Sequence, residues 1–153
     1  MGASADALQR AYLIRPSSYS AQAGTVRGLH YQEEPKAQTK LLRVLAGAIY
    51  DVAVDIRPES PSYGRWVGVV LTADNKRQIL IPKGFAHGFC TLVADTQVLY
   101  KVDEYYSPEH DRGIRWNDCE IGIEWPVSED AAVLSAKDAH LPMLMEAVGG
   151  VER

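Results

Sequence analysis

Short apolar and alternating runs, separated by turn residues, constrain the fold of this sequence more than any other feature. Seven such runs cover Lys40–Ala46, Ala48–Ile56, Arg65–Leu71, Gln78–Ile81, Ala86–Val93, Thr96–Val102 and Gly113–Trp116. Because glycine tolerates positive φ and proline fixes φ, the segments between them are typical turns: Ala46-Gly47, Pro58–Gly64, Asp74-Asn75 and Pro82–Gly84. This pattern predicts an all-β protein, a jelly-roll β-sandwich or barrel.

Helical patterns are weak and lie mainly near the C-terminus. Pro142 suits the first turn of a helix there. The apolar residues that would form one face of this helix are Leu141, Leu144, Met145 and Val148. The first 25 residues are expected to be irregular, with a weak helical pattern at Ala5–Tyr12 and a strand pattern near Tyr12–Ile14.

Composition excludes several classes of partner. The chain has 153 residues, and 16 Lys+Arg against 20 Asp+Glu leave a net charge of −4, so no bulk positive field attracts nucleic acid or anionic lipid. No apolar run approaches the roughly 18 residues of a membrane span, and MGASADALQR does not resemble a signal peptide. Cys90 and Cys119 match no metal or redox motif and are expected to be structural thiols. We therefore expect a single-domain, cytoplasmic protein without nucleic-acid or membrane partners.

Polar residues that interrupt the apolar runs are the candidates for chemistry. His30 lies in RGLHYQ and His87 in IPKGFAHGF, while Lys40, Arg43 and Tyr100 lie in predicted strands. A lone histidine in a strand is more often a packed residue than a catalyst. Cationic and phenolic side chains that point into a barrel, however, are costly to bury unless they bind an anionic ligand. Such a set supports proton transfer next to a carbonyl, with an imidazole as base and a phenol as acid.

The carboxylate partner of the histidine stays open at this level. A catalytic imidazole usually needs a carboxylate that fixes its tautomer and stabilises the imidazolium. The chain offers Asp118, Asp138 and several others, and no periodicity selects among them.

A metal centre is the competing interpretation. The segment Pro82-x-Gly84-x-x-His87 is similar to the second motif of metal-binding cupins, but the partner motif needs a His-x-His that this chain lacks. His30 and His87 with Glu33 or Glu34 would still make a two-histidine, one-carboxylate set. We regard this interpretation as the weaker one.

Long motifs make the sequence similar to one family. RGLHYQ, KLLRVLAGAIYDVAVDIRPESPSYGRWVGVVLTADNKRQILIPKGFAHGF, VLYKVDEYYSPEHDRGIRWND, IGIEWP and LSAKD resemble the dTDP-4-dehydrorhamnose 3,5-epimerase family, almost continuously from Val26 to Asp138. The resemblance implies a cupin-type jelly roll, a homodimer, no metal and no cofactor. It also implies double epimerisation, at carbon 3 and carbon 5, of a dTDP-4-keto-6-deoxy sugar. Residues 26–138 would form the core and active site, and residues 139–153 a C-terminal helix and tail.

The same resemblance assigns roles to individual residues. It makes His30 the general base, Asp138 of the SAKD motif its carboxylate partner, and Tyr100 of LYK the proton donor. The positions that it assigns to substrate binding are Arg27, Gln32, Lys40, His87, Asp111 and Lys137.

One departure concerns the nucleotide. Family members usually have an additional N-terminal strand that contacts the nucleotide in the partner subunit, and this sequence begins after it. We therefore expect discrimination between bases to fall more than affinity. Two alternatives follow, a non-catalytic sugar-nucleotide-binding relative and a 3-epimerase that acts on a sugar with a different base. Retention of His30, Tyr100 and Asp138 together favours the enzyme, because a binder needs none of the three.

Overall fold

The computed structural model describes residues 17–148, and these residues form nine strands and two short helices. The strands are β1 (Ser17–Ser20), β2 (Val26–Gln32), β3 (Lys40–Ala46), β4 (Ala48–Asp55), β5 (Trp66–Thr72), β6 (Gln78–Ile81), β7 (Phe85–Thr91), β8 (Thr96–Val102) and β9 (Asp111–Gly113). The helices are α1 (Ala136–Ala139) and α2 (Leu144–Val148). No helix among the described residues is long and apolar enough to cross a membrane.

The strands form two antiparallel sheets. The four-stranded sheet has the order β1-β8-β3-β6, and the five-stranded sheet has the order β5-β4-β7-β2-β9. Neighbours in each sheet are mostly distant in sequence, as a jelly roll requires. The predicted all-β jelly roll with a few short, mainly C-terminal helices is confirmed.

An apolar core lies between the sheets because each strand turns alternate residues inward. In β3, Leu42 and Val44 are buried, whereas Arg43 between them is exposed. Arg43 therefore does not point inward, contrary to the expectation from its place in an apolar run. The residues that form this core are Leu42, Val44, Ile49, Ala53, Leu71, Ile81, Phe89 and Val98.

A second core covers the other face of the five-stranded sheet. Val52 and Val54 of β4 alternate with Ile49 and Ala53, so they face away from the first core. The segment after β9 packs on them through Ile114, Ile121 and Leu144. Strand β4 is consequently buried on both faces, which explains its nearly continuous apolar sequence.

The structure corrects several predicted boundaries. Ser17–Ser20 lies in the segment expected to be irregular, yet it is a strand that pairs with β8. Backbone hydrogen bonds to β8 stabilise this strand, because its sequence has no apolar alternation. Val26–Gln32 is a strand that the seven runs did not include. The run predicted at Gly113–Trp116 overlaps the observed strand β9 (Asp111–Gly113) only at Gly113. The patterns at Ala5–Tyr12 and Tyr12–Ile14 lie outside the described residues.

Candidate active site

A cavity of about 500 Å³ lies where side chains from both sheets converge. The five-stranded sheet contributes His30 and His87, the four-stranded sheet contributes Lys40 and Tyr100, and α1 contributes Asp138. All the residues predicted for the site line this cavity, namely Arg27, His30, Gln32, Lys40, His87, Tyr100, Asp111, Lys137 and Asp138. The fold thus brings together side chains that are widely separated in sequence.

His30 and Asp138 form a hydrogen-bonded dyad. His30 Nε2 lies 2.8 Å from Asp138 Oδ1, and Asp138 is 4% exposed. Burial alone would raise the pKa of Asp138, but the hydrogen bond and charge of His30, together with the Gly28 N–H, hold that pKa below its ordinary value. An ionised carboxylate only accepts hydrogen bonds, so His30 Nε2 carries the proton that it donates. The lone pair is then on Nδ1, which has no hydrogen-bond partner among the described residues.

Gly28 lets the backbone of β2 approach this dyad. Its N–H donates to Asp138 Oδ2 at 3.1 Å, and the pairing of β2 with β7 shifts register between Arg27 and His30. Gly28 has φ +115, and a Cβ at this position would lie 2.6 Å from the carbonyl oxygen of His87. Only glycine fits both the conformation and the space.

A second histidine–carboxylate pair joins His87, which lines the same cavity, to a carboxylate behind the cavity wall. His87 Nε2 lies 2.9 Å from Asp51 Oδ2, and Asp51 is fully buried. His87 is the cross-strand neighbour of His30, so both imidazoles belong to one patch of the five-stranded sheet. The sequence analysis did not select Asp51, although a carboxylate in the apolar strand AIYDVAVD was a usable signal.

Lys40 is a partly buried cation of the site. Burial lowers the pKa of Lys40 to about 8, while the charges of Asp111 and Asp51 act in the opposite direction. Lys40 shares the inward face of β3 with Leu42 and Val44, so its ammonium group points to the cavity side of the sheet.

Tyr100 and Arg27 complete the inner wall. Burial raises the pKa of the Tyr100 phenol, and the nearby charge of Arg27 lowers it to a smaller extent. Tyr100 therefore keeps its proton at neutral pH and can donate it. Arg27 is oriented by β1, because its Nε donates to Ser20 Oγ at 3.2 Å and its Nη2 donates to the Tyr19 carbonyl at 3.1 Å.

A polar rim surrounds the opening. Lys137 Nζ donates to Asp111 Oδ2 at 2.6 Å, and the hydroxyl of Tyr106 donates to the same oxygen at 3.4 Å. Both Lys137 and Asp111 were predicted for the site. Tyr106 was not, because it lies in an irregular loop without periodicity.

Gln32 faces the cavity wall, but its amide is occupied by the backbone. Its Oε1 accepts from the Ser107 N–H at 2.8 Å, and its Nε2 donates to the carbonyls of Lys36 and Tyr105 at 2.6 and 3.2 Å. Gln32 is 6% exposed. Gln32 lines the cavity, but these backbone groups occupy its amide, and its direct contact with the substrate stays a prediction.

The structure also shows where the other carboxylates considered for the site lie. Asp118 accepts hydrogen bonds from the backbone N–H groups of Glu120, Ile121 and Leu144, which is a structural role. Glu33 forms an ion pair with Arg112 at 3.1 Å. Among residues 17–148, no group of three histidine, cysteine or carboxylate side chains has a geometry that could hold a metal ion.

Two antiparallel sheets that converge on one cavity define a cupin-type jelly-roll protein. The family model for dTDP-4-dehydrorhamnose 3,5-epimerase matches residues 4–146, and the chain belongs to this family.

Individual relatives agree with this membership. The dTDP-4-dehydrorhamnose 3,5-epimerase of Sinorhizobium fredii is 57% identical over 129 residues, which are 84% of this chain and 66% of the relative. The chain thus spans about two thirds of that relative's length. The crystal structure of the Bacillus anthracis enzyme with TDP and pyrophosphate bound is 60% identical, with a TM-score of 0.84, and the match covers 86% of this chain and 74% of that one. For a Legionella pneumophila dTDP-6-deoxy-D-glucose-3,5-epimerase in complex with dTDP-4-keto-L-rhamnose, the identity is 46%, the TM-score 0.83 and the coverage 92% and 71%.

Proposed function

We propose that this protein epimerises a dTDP-4-keto-6-deoxy sugar at carbon 3 and carbon 5. The ketone at carbon 4 makes the hydrogens on both neighbouring carbons acidic, so one base can act at either carbon. The names of the relatives support this substrate, as does the keto-sugar nucleotide bound to the Legionella relative.

In this proposal His30 is the base. Its imidazole takes the proton from the carbon next to the ketone, the electron pair of the C–H bond forms the enolate, and Asp138 stabilises the resulting imidazolium. The dyad distance of 2.8 Å and the burial of Asp138 support this role, since both strengthen the ion pair that forms during the step.

Tyr100 is the acid. Its hydroxyl donates a proton to the opposite face of the carbon, which forms the new C–H bond with inverted configuration. The tyrosinate and the imidazolium then return to their starting states by proton exchange with solvent, so the net reaction consumes nothing. The location of Tyr100 on the other sheet from His30 supports this role.

Cationic and polar groups stabilise the charge on the sugar and the nucleotide. Lys40 and His87 interact with the enolate oxygen, because a charge and a hydrogen bond in a buried site favour the developing anion. The N–H groups of Arg27 that β1 does not use are available to the diphosphate. Lys137 and Asp111 contact the substrate from the rim.

The observation that carries the proposal is the convergence of a His–Asp dyad and a phenol from different sheets on one cavity. Incubation of dTDP-4-keto-6-deoxyglucose with the protein in D₂O, followed by NMR, tests it. We expect deuterium at carbon 3 and carbon 5 and an inverted product. Absence of deuterium at both carbons would support a non-catalytic binder. Deuterium and inversion at carbon 3 alone would support a 3-epimerase.

Assembly and location belong to the same proposal. Apolar side chains are exposed on three edge strands, Tyr19 on β1, Val67 on β5 and Leu80 on β6. Unpaired sheet edges with apolar side chains favour association, so we propose a homodimer that forms through them. Cys90 and Cys119 are both free, which fits a reducing compartment, and we place the protein in the cytoplasm.

A further inference from the structure

Gln32 lies next to the catalytic dyad but contacts only backbone. It follows His30 by two residues in β2, so both side chains share one face of the strand. All three of its hydrogen bonds go to main-chain atoms, and two of them reach Tyr105 and Ser107, far along the chain in the loop between β8 and β9. Its amide thus joins the strand of the base to this loop.

The loop carries Tyr106 between the two residues that Gln32 holds. Tyr106 is 64% exposed, lines the cavity and donates to Asp111, which also binds Lys137. Other hydrogen bonds of the loop each lie on one side of Tyr106. Before it, the Tyr105 N–H donates to Glu104 Oε1 at 2.8 Å and Gln38 Nε2 donates to the Glu104 carbonyl at 2.9 Å. After it, the His110 N–H donates to the Ser107 carbonyl at 3.0 Å, and Ser107 Oγ lies 2.7 Å from His110 Nδ1. Gln32 is buried, and its side chain hydrogen-bonds the residues on both sides of Tyr106.

We propose that Gln32 is a positioning residue, whose amide holds Tyr105 and Ser107 so that Tyr106 closes the rim of the cavity over the bound nucleotide sugar. This role rests on the proposed function, because it concerns affinity for that substrate. It leaves proton abstraction to His30. Loss of the amide therefore weakens binding and changes the chemical step little.

The Gln32→Met variant, of similar size but without polar hydrogen-bonding groups, tests the role. We expect KM for the keto-sugar nucleotide, and Kd for the non-reacting dTDP-glucose, to rise about tenfold. A tenfold rise corresponds to the loss of roughly one net hydrogen bond from the binding free energy. The maximal rate of deuterium incorporation stays within about threefold. Gln97→Met, the same change at an exposed strand position, is the control and leaves all three values unchanged.

Coupling to Tyr106 separates this role from direct substrate contact. Tyr106→Ala should raise Kd by a similar factor, and the double variant should raise it no further, because both changes remove the same closure. Additive effects would overturn the proposal, as would an unchanged Kd in Gln32→Met. If Gln32→Met does not fold, Gln32→Glu takes its place. It keeps an acceptor for Ser107 but opposes two carbonyls with a carboxylate, so the same rise in Kd is expected.

A local readout does not depend on turnover. The Ser107 amide should exchange with solvent faster in Gln32→Met than in the wild type and in Gln97→Met, because it loses its acceptor. If the wild type incorporates no deuterium into the sugar, the proposed function fails. The Kd for dTDP-glucose and the exchange of the Ser107 amide still decide the role of Gln32.

Discussion

The dyad of His30 and Asp138 concentrates the proposed proton abstraction in one side chain. His30→Asn removes the basic nitrogen and should lower deuterium incorporation at both carbons by at least about 10²–10⁴-fold. NMR of the sugar in D₂O measures the loss of deuterium incorporation. The Tm from thermal unfolding should be unchanged, because the fold stays intact. His140→Asn, a change at an exposed histidine of the described chain, should keep the wild-type rate. Exchange that persists in His30→Asn would assign the base elsewhere.

Tyr100 should affect inversion without affecting abstraction. In Tyr100→Phe the base is intact, so we expect deuterium incorporation within about tenfold of the wild type and at least a ~10²-fold loss of inverted product. Tyr105 is exposed and does not line the cavity, so Tyr105→Phe is the matched control. Equal losses of exchange and inversion in Tyr100→Phe would instead give Tyr100 a role in binding alone.

The pKa of Lys40 predicts an alkaline limit to activity. In the proposed mechanism protonated Lys40 stabilises the enolate, and burial lowers the pKa of Lys40 to about 8, so kcat/KM should fall as the pH rises above 8. A pH profile of initial rates measures this limb. In Lys40→Arg the guanidinium stays charged, so the limb near pH 8 should disappear even though the rate is lower. A limb that is unchanged in Lys40→Arg would belong to another group.

At the scale of the elements, β2 depends on the missing side chain of Gly28. Gly28→Ala would place a Cβ 2.6 Å from the His87 carbonyl oxygen, at φ +115, so the strand must move away from β7 and from Asp138. We expect a loss of about 2–4 kcal/mol in the free energy of unfolding and a loss of turnover.

Gly122→Ala provides the comparison for this prediction. It also has positive φ, at +65, but its nearest neighbour atom would be 3.8 Å away. This change should cost only about 1–2 kcal/mol, the ordinary penalty for a side chain in that conformation. Denaturant unfolding of both variants measures the difference, and equal losses would show that the contact with β7 is unimportant.

The strands differ in how well the sequence predicts them. β3 and β4 have apolar alternation or continuous apolar sequence, so their bounds were predicted almost to the residue. β1 has the polar sequence SSYS and is ordered by its pairing with β8, which no local pattern encodes. Alternation within β3 also separates Lys40, on the face of Leu42, from Arg43 on the opposite face.

The residues of the site also differ in how far the sequence predicts them. The selection of Asp138 over Asp118 came from resemblance to a family, because both lie in segments without periodicity and only tertiary contacts distinguish them. Asp51 was recognisable as a carboxylate in an apolar strand, but its contact with His87 depends on the pairing of β4 with β7. The occupied amide of Gln32 depends on a loop whose path local sequence does not specify.

At the scale of the whole molecule, the proposed dimer is directly testable. Sedimentation at micromolar concentration should show a species of about twice the 16.9 kDa chain mass. Val67→Glu and Leu80→Glu place a charge on exposed edge strands and should shift the population towards monomer. Val93→Glu, at an exposed residue outside the strands, should have no such effect. A wild-type protein that sediments only as a monomer would remove the dimer from the proposal.

The division of the site between two sheets also affects how the stereochemical outcome of the proposed reaction could change during evolution. His30 belongs to the sheet that is anchored on both faces, whereas Tyr100 belongs to the sheet with a single core. Substitutions in the four-stranded sheet can therefore shift or delete Tyr100, the proposed acid, while His30, the proposed base, keeps its support. The fold allows a lineage to change which carbon centres are inverted, or to lose inversion entirely, without first giving up the ability to labilise the substrate's hydrogens.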